Sequence, residues 1–290
     1  MFSPTTKAIC FRLLAVGMFT PIFAAGKLAD GAFPALAIMT MRYFGGFLTV
    51  CGYIFISRTS PVSLVAAKPS RHLIRACLGT GGGVFAIHAG SVMPVANAAA
   101  IGLTQGIMII ALAGLVLKEP ITRLHWLAGA IAMSGAGLVV TQSIDFTTIG
   151  LGSWEGSAAA FTGALFIAFE ALMIKFVSSR ERGVSTLLYV NGFGSMIVLA
   201  LALVWLDWGV FANPVLWVFL IIGPVAISAQ FFNIQANLRA NAATLAPITY
   251  SWVLFAALMG LFLFDEIPTV ITIIGSLLIV AGGIVVSKVR

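Results

Sequence analysis

The sequence predicts an all-α integral membrane protein. Ten transmembrane helices fall into two inverted five-helix repeats, residues 1–146 and 147–290, with N and C termini cytoplasmic. Three observations predict this: an apolar composition, cations confined to alternate gaps, and a segment that recurs 146 residues later.

Hydrophobic residues make up 60% of the 290 and charged residues 9%, with a mean hydropathy of +1.09. A soluble fold of this size cannot bury so much apolar surface, so the solvent is mostly lipid. The formal charge of +7 does not point to nucleic acid, because the cations sit in short gaps between apolar runs. The lipid bilayer and its headgroups are the partners expected for them. Cys10, Cys51 and Cys77 lie in or beside apolar runs without metal-ligand spacing and read as small apolar filler. Lys7 and Arg12 precede the first apolar stretch, as in a signal peptide. "PIFAAGKLAD" has no clear small-x-small cleavage site, so the stretch is read as a retained first span.

A helix needs ~20 apolar residues to cross ~30 Å of hydrocarbon. Windows of that size fall at 10–29, 34–56, 72–90, 94–117, 124–141, 154–177, 185–206, 215–236, 242–264 and 270–287. The gaps are short and rich in Gly, Pro, Asn and Ser, as hairpin turns between helices require. Backbone groups must be satisfied internally in lipid, so the spans are helices.

With the N-terminus cytoplasmic, the inner gaps and span ends collect 14 of the 16 cations, among them Arg12, Arg75, Lys118, Arg123 and Lys175. The outer side collects Asp30, Asp145, Glu155, Asp207, Asp265 and Glu266, and no loop cation. Positive charge stays inside, and a nine- or eleven-span chain would break the partition halfway.

Residues 114–140 and 260–286 share eight identities, including Gly114/Gly260, Gly129/Gly275 and Gly137/Gly283. Glu119 in "KEPITR" falls opposite Asp265 in "DEIP", and "ANAA" occurs at 96–99 and again at 240–243. Five spans separate the two acidic corners, so they face opposite sides of the membrane. Inverted repeats of this kind are typical of secondary transporters, whose halves rock about a site near the midplane. Spans 5 and 10 carry Gly129, Gly135, Gly137, Gly275, Gly282 and Gly283 among alanines. Small residues let helix backbones approach closely, so these two spans read as scaffold, a seam between halves or subunits.

The segments "NAAAIGLTQGIMIIALAGLVLKEPITRLHWLAGAIAMSGAGLVV" and "NAATLAPITYSWVLFAALMGLFLFDEIPTVITIIGSLLIVAGGIVV" carry a family resemblance, as do Lys27 and "PALAIMTMR", which ends at Arg42. On these residues, and over nearly its whole length, the chain resembles the EamA-type family of the drug/metabolite transporter superfamily. It departs in span 7, which has no arginine where span 2 has Arg42. The resemblance implies a central cavity between the halves, lined mainly by spans other than 5 and 10. It also implies transport of substrates ranging over amino acids, nucleotide-like metabolites, vitamins and drugs.

Ionisable groups at membrane depth are costly and face a cavity or a partner. Lys27 reads as snorkelling to the headgroups or as functional. Arg42 reads as functional or as a helix lock. His88, after "GTGGGVFAIH", reads as packed against a carbonyl or as lining the cavity. Glu170 is the only carboxylate well inside a span. It reads either as a proton-exchanging group that competes with a cationic substrate, or as a structural pair with an arginine or amide of a neighbouring span. Further candidates are Asn97, Gln105, Asn191, Gln230, Asn233, Tyr250 and Trp252, with Asn237 on the face of Gln230 and Asn233. Pro247 interrupts span 9 beside Tyr250 and Trp252, and a broken helix near a repeat interface is a pointer to a binding site.

No HExxH, Cys/His cluster or ATP-binding motif occurs, and "GTGGG" lacks the strand, loop and lysine of a phosphate loop. No cofactor, metal or enzymatic activity is expected. The reading is a secondary transporter of a small metabolite (amino-acid-like, vitamin-like or amphipathic) in a bacterial cytoplasmic (inner) membrane. It works by alternating access, with proton coupling as one option. The alternatives are a membrane scaffold or lipid flippase, and an integral-membrane enzyme. A homodimer is left open.

Overall fold

The computed structural model describes residues 3–28, 32–60, 64–92, 99, 101–141, 154–179, 181–264 and 267–288. Among them there is no strand. The helices are α1 (Pro4–Leu28), α2 (Ala35–Ser57), α3 (Pro69–Val92), α4 (Thr104–Val116), α5 (Arg123–Thr141), α6 (Trp154–Ser178) and α7 (Gly183–Trp205). Next comes α8 (Pro214–Asn237), whose middle winds as a 3-10 turn over Phe219–Ile221. The broken helix α9 follows (Ala242–Thr249, then Ser251–Phe264), and α10 is Val270–Ser287.

Seven of these, α2 and α5 to α10, contain a stretch long and apolar enough to cross a membrane. α4 is apolar but only 13 residues long as described. The 25-residue α1 and 24-residue α3 have the length but fall outside that set. α1 carries Lys7, Arg12 and Lys27, and α3 carries Arg71, His72 and Arg75. Of the described cations, Arg75 on α3 is buried and Arg12 on α1 partly buried.

Large apolar side chains stay exposed, as lipid-facing surfaces require. On α10, Val270, Ile273, Leu277, Val280 and Ile284 recur at helical spacing on its outer face. The protein is therefore a multi-pass membrane protein, with most of its helix packing running between its first and second halves. α5 lies on α10, α3 on α6, α1 on α8, α2 on α7 and on α8, α3 on α7, α4 on α6 and α9, and α1 on α9. Exchanging each helix for the one five places along maps this set onto itself.

The α5–α10 contact is made by small residues. A Cβ on Gly135 would fall 2.5 Å from the Gly275 carbonyl oxygen, and one on Gly282 would fall 2.8 Å from that of Ala128. Neither position can take a side chain without parting the helices. "GTGGG" does not interrupt α3, which runs unbroken through it. Its glycines instead admit neighbours: Phe166 against Gly81, Ile167 against Gly82 and Met39 against Gly83.

Candidate functional site

The α3–α6 interface carries the central feature. Arg75, two turns into α3, is 1% exposed, and its Nε lies 3.7 Å from Oε1 of Glu170 on α6, which is 24% exposed. Gly79, one turn further along α3, makes room for that carboxylate. A Cβ there would sit 3.0 Å from the Glu170 carboxyl carbon and 3.1 and 3.2 Å from its oxygens. The two backbones also run close, since a Cβ on Gly163 would meet the Gly82 carbonyl oxygen at 3.2 Å. Glu170 feels three cations, Arg75 most strongly and then Arg42 and Arg12. Arg42 is half-buried, its guanidinium stacked 4.2 Å above the Tyr43 ring.

Arg12 joins α1 to the second half. Its Nη1 donates to Asn233 Oδ1 on α8, and its Nη2 donates to Thr249 Oγ1 on α9 at 2.8 Å. Thr249 closes the first segment of α9, two residues after Pro247, so the helix break presents a hydroxyl to Arg12. Asn237 Nδ2 donates to the Asn233 carbonyl at 2.9 Å and to Asn233 Oδ1 at 3.1 Å. Further along α8, the Asn191 and Gln230 amides exchange two hydrogen bonds of 3.3 Å, tying α7 to α8. Both side chains are buried. Gln230, Asn233 and Asn237 thus share a buried face of α8, as their spacing predicts.

Three side chains brace the ends of these helices. Glu119 Oε1 and Oε2 accept from the backbone N–H groups of Ala242 and Ala243, each at 3.0 Å. The "KEPITR" corner of the first half therefore caps α9 of the second, where a carboxylate meets the positive end of the helix dipole. His125 adds a 3.2 Å bond from Nε2 to Thr244 Oγ1. Lys175 Nζ donates to the carbonyls of Asn237 and Ala240, both at 2.7 Å, at the C-terminal end of α8.

The remaining sequence candidates lie elsewhere. The Tyr250 hydroxyl donates to the Leu103 carbonyl at 2.7 Å, with the ring packed over Gly106. Tyr250 is 1% exposed and acts as a strut between α9 and the chain before α4. Trp252 packs against the same apolar cluster as Tyr250, Ala132 and Ile279. His88 is exposed near the end of α3 and meets Glu155 Oε1 through Nε2 at 3.1 Å. Gln105 is half-buried on α4. Asn97 lies outside the described residues, as do Asp265, Glu266 and the side chain of Lys27. A groove of about 270 Å³ between α9 and α10 is lined by residues such as Leu254, Leu258 and Leu277, and none of the charged groups reaches it.

Arg12 and Arg75, counted in the sequence only among the inner-side cations, make interior contacts that the sequence did not single out. Both fall inside the windows 10–29 and 72–90, which was the signal available. His72 was also passed over. It is fully buried, stacked on Tyr189 with ring centroids 5.4 Å apart, and neither ring nitrogen has a hydrogen-bond partner. Among the described residues no cluster of His, Cys, Asp and Glu is placed to hold a metal ion. What the arrangement offers is a half-buried carboxylate paired with a buried guanidinium, with two further guanidiniums in its electrostatic surroundings, on the contact between α3 and α6.

Comparison with known proteins agrees with this architecture. A crystal structure sharing 16% identity superposes with a TM-score of 0.81 over 97% of each chain, a likeness of fold alone. The pseudopaline exporter CntI of Pseudomonas aeruginosa, from strains UCBPP-PA14 and PAO1, is 25% identical over 286 residues, 98% of this chain and 97% of the relative. The model of the EamA-like transporter family matches residues 6–141 and 154–288. With nearly its whole length matched, the chain belongs to the EamA-like transporter family and is a transporter rather than an enzyme.

Proposed function

We propose that the protein is a secondary transporter that exports a small metabolite across a bacterial cytoplasmic membrane, by alternating access between two inverted halves. The halves are residues 1–146 and 147–290, each of five spans, with both termini cytoplasmic. Glu170 couples the movement to protons. The observation that carries this reading is the Arg75–Glu170 pair, set inside the protein on the contact between α3 and α6. Support for the inverted halves comes from the major contacts between first-half and second-half helices, a set that is unchanged when each helix is exchanged for its counterpart five places on. Export as the direction follows the two relatives named as pseudopaline exporters.

The test is reconstitution in proteoliposomes with and without an imposed pH gradient, against protein-free vesicles. Pseudopaline is the first compound to try, followed by a metabolite screen. A pH gradient is expected to drive transport by the wild type. Glu170→Gln is expected to cut the proton-driven rate by at least about tenfold while leaving substrate exchange without a gradient. Proton-driven transport at wild-type efficiency in Glu170→Gln would remove the coupling role. A screen in which no compound moves would remove the secondary-transport reading.

A further inference from the structure

The charges around Glu170 do not balance. Arg12, Arg42 and Arg75 act on one carboxylate, and Glu170 is the only carboxylate acting on Arg12 or Arg75 among the described residues. Two positive charges are therefore in excess, and the buried polar side chains of the core besides them are amides, hydroxyls and the imidazoles of His72 and His125. The donors are also under-used. Arg75 Nε lies 3.7 Å from its carboxylate, close enough for an ion pair but too far for a hydrogen bond. Arg75 Nε and Nη1, and Arg12 Nε, are buried without any acceptor. Buried guanidinium nitrogens are seldom left so, because each unmet donor keeps the cost of desolvation without recovering it.

We infer that this cradle is the substrate site and that the substrate is an anion bearing at least two carboxylates. This rests on the transporter reading above. It also reverses the cationic substrate that a lone intramembrane carboxylate suggests. One substrate carboxylate takes the acceptor position on Arg75 that Glu170 holds only loosely, and a second meets Arg12 beside Asn233 and Thr249. A carboxylate fits better than a tetrahedral oxyanion, because the group it replaces is itself a planar carboxylate. The Glu170 side chain, 24% exposed, has room to swing away. Once released it is free to take a proton or pair with a substrate amine. Glu170 is thus an internal competitor for the arginines that bind substrate.

Binding to purified protein tests this without requiring transport. Thermal unfolding of the wild type in detergent would be followed with succinate, glutarate and citrate at matched ionic strength. The controls are the neutral trimethyl ester of citrate, putrescine and sulfate. The carboxylates are expected to raise the unfolding temperature and the controls are not. Glu170→Gln should bind citrate at least about tenfold more tightly, because the competitor is gone, and Arg12→Gln at least about tenfold more weakly. Arg75→Gln is expected to lose the response; if it does not fold, the Glu170→Gln and Arg12→Gln results decide. No response to any of the three acids, an equal response to ester, putrescine or sulfate, or weaker binding by Glu170→Gln would each overturn the inference. A protein that binds citrate as described yet transports nothing in vesicles would count against the transport reading and leave this one standing.

Discussion

Helices α3 and α6 hold two carboxylate–base pairs, and the pairs differ in depth. Arg75 and Glu170 are 3.7 Å apart with side chains 1% and 24% exposed. His88 and Glu155 are 3.1 Å apart with side chains 46% and 58% exposed. The closer pair is the less consequential one. At the surface both groups keep water as an alternative partner and salt screens what attraction is left, so an exposed pair contributes little. In the interior water is scarce and salt screens little, so removing one member leaves the other without its nearest opposite charge. Depth rather than separation decides which pair the protein depends on, and the neighbouring sequence reflects this. Beside the buried pair stands Gly79, whose missing side chain leaves space for the Glu170 carboxylate.

The largest effect that would test this difference is expected from Arg75→Ala. It leaves Glu170 buried against apolar helices without its nearest cation, and breaking a buried pair from one side costs about 3–5 kcal/mol. Thermal unfolding of the purified variant, with fluorescence-detected size exclusion as the check on folding, should show a clear loss. If Arg75→Ala is as stable as the wild type, depth is not what gives the pair its weight.

Glu119 sharpens the comparison from a third position. Its carboxylate is half-buried like that of Glu170, yet its hydrogen-bond partners are backbone N–H groups fixed at the start of α9. A cap of this kind cannot exchange partners, so its role is structural. Glu119→Ala should lower stability by about 1–2 kcal/mol, the usual range for a lost helix cap. The loss should fall on the first segment of α9 in hydrogen exchange. Uniform loss across all helices would show that Glu119 does not act through that cap.

The helical architecture was legible in the sequence because hydropathy reports the solvent, and lipid leaves no alternative to helices for these runs. The polar residues inside windows were legible one at a time, and Glu170, Asn191, Gln230 and Asn233 are all buried or half-buried where they were expected. Their partners were not legible. Arg12 and Arg75 lie near the ends of their windows, where a cation normally anchors topology, and only tertiary packing shows that both point into the protein. Tyr250 misled in the other sense. Next to a helix-breaking proline it reads as a site residue, but Gly106 leaves a slot for its ring and the Leu103 carbonyl takes its hydroxyl. The acidic corner at Glu119 could be recognised as a repeated turn. Its role as a cap on Ala242 and Ala243 depends on the fold bringing together residues more than a hundred positions apart.

The smallest effect belongs to the exposed pair. His88→Ala removes a side chain that is 46% exposed and whose carboxylate partner is 58% exposed. Water can replace each at little cost, so the change in stability should stay within about 0.5 kcal/mol. Raising the salt concentration should make even that difference vanish, because the attraction between solvated charges is screened over roughly 10 Å at 0.1 M. Proton-driven transport should be unaltered as well, since His88 lies on the far side of the glycine run from Arg75. The decisive comparison pairs His88→Ala with Glu155→Gln in the same vesicles. If either folds normally but loses proton-driven transport, the exposed end of α3 and α6 belongs to the working site, and depth alone does not separate the two pairs.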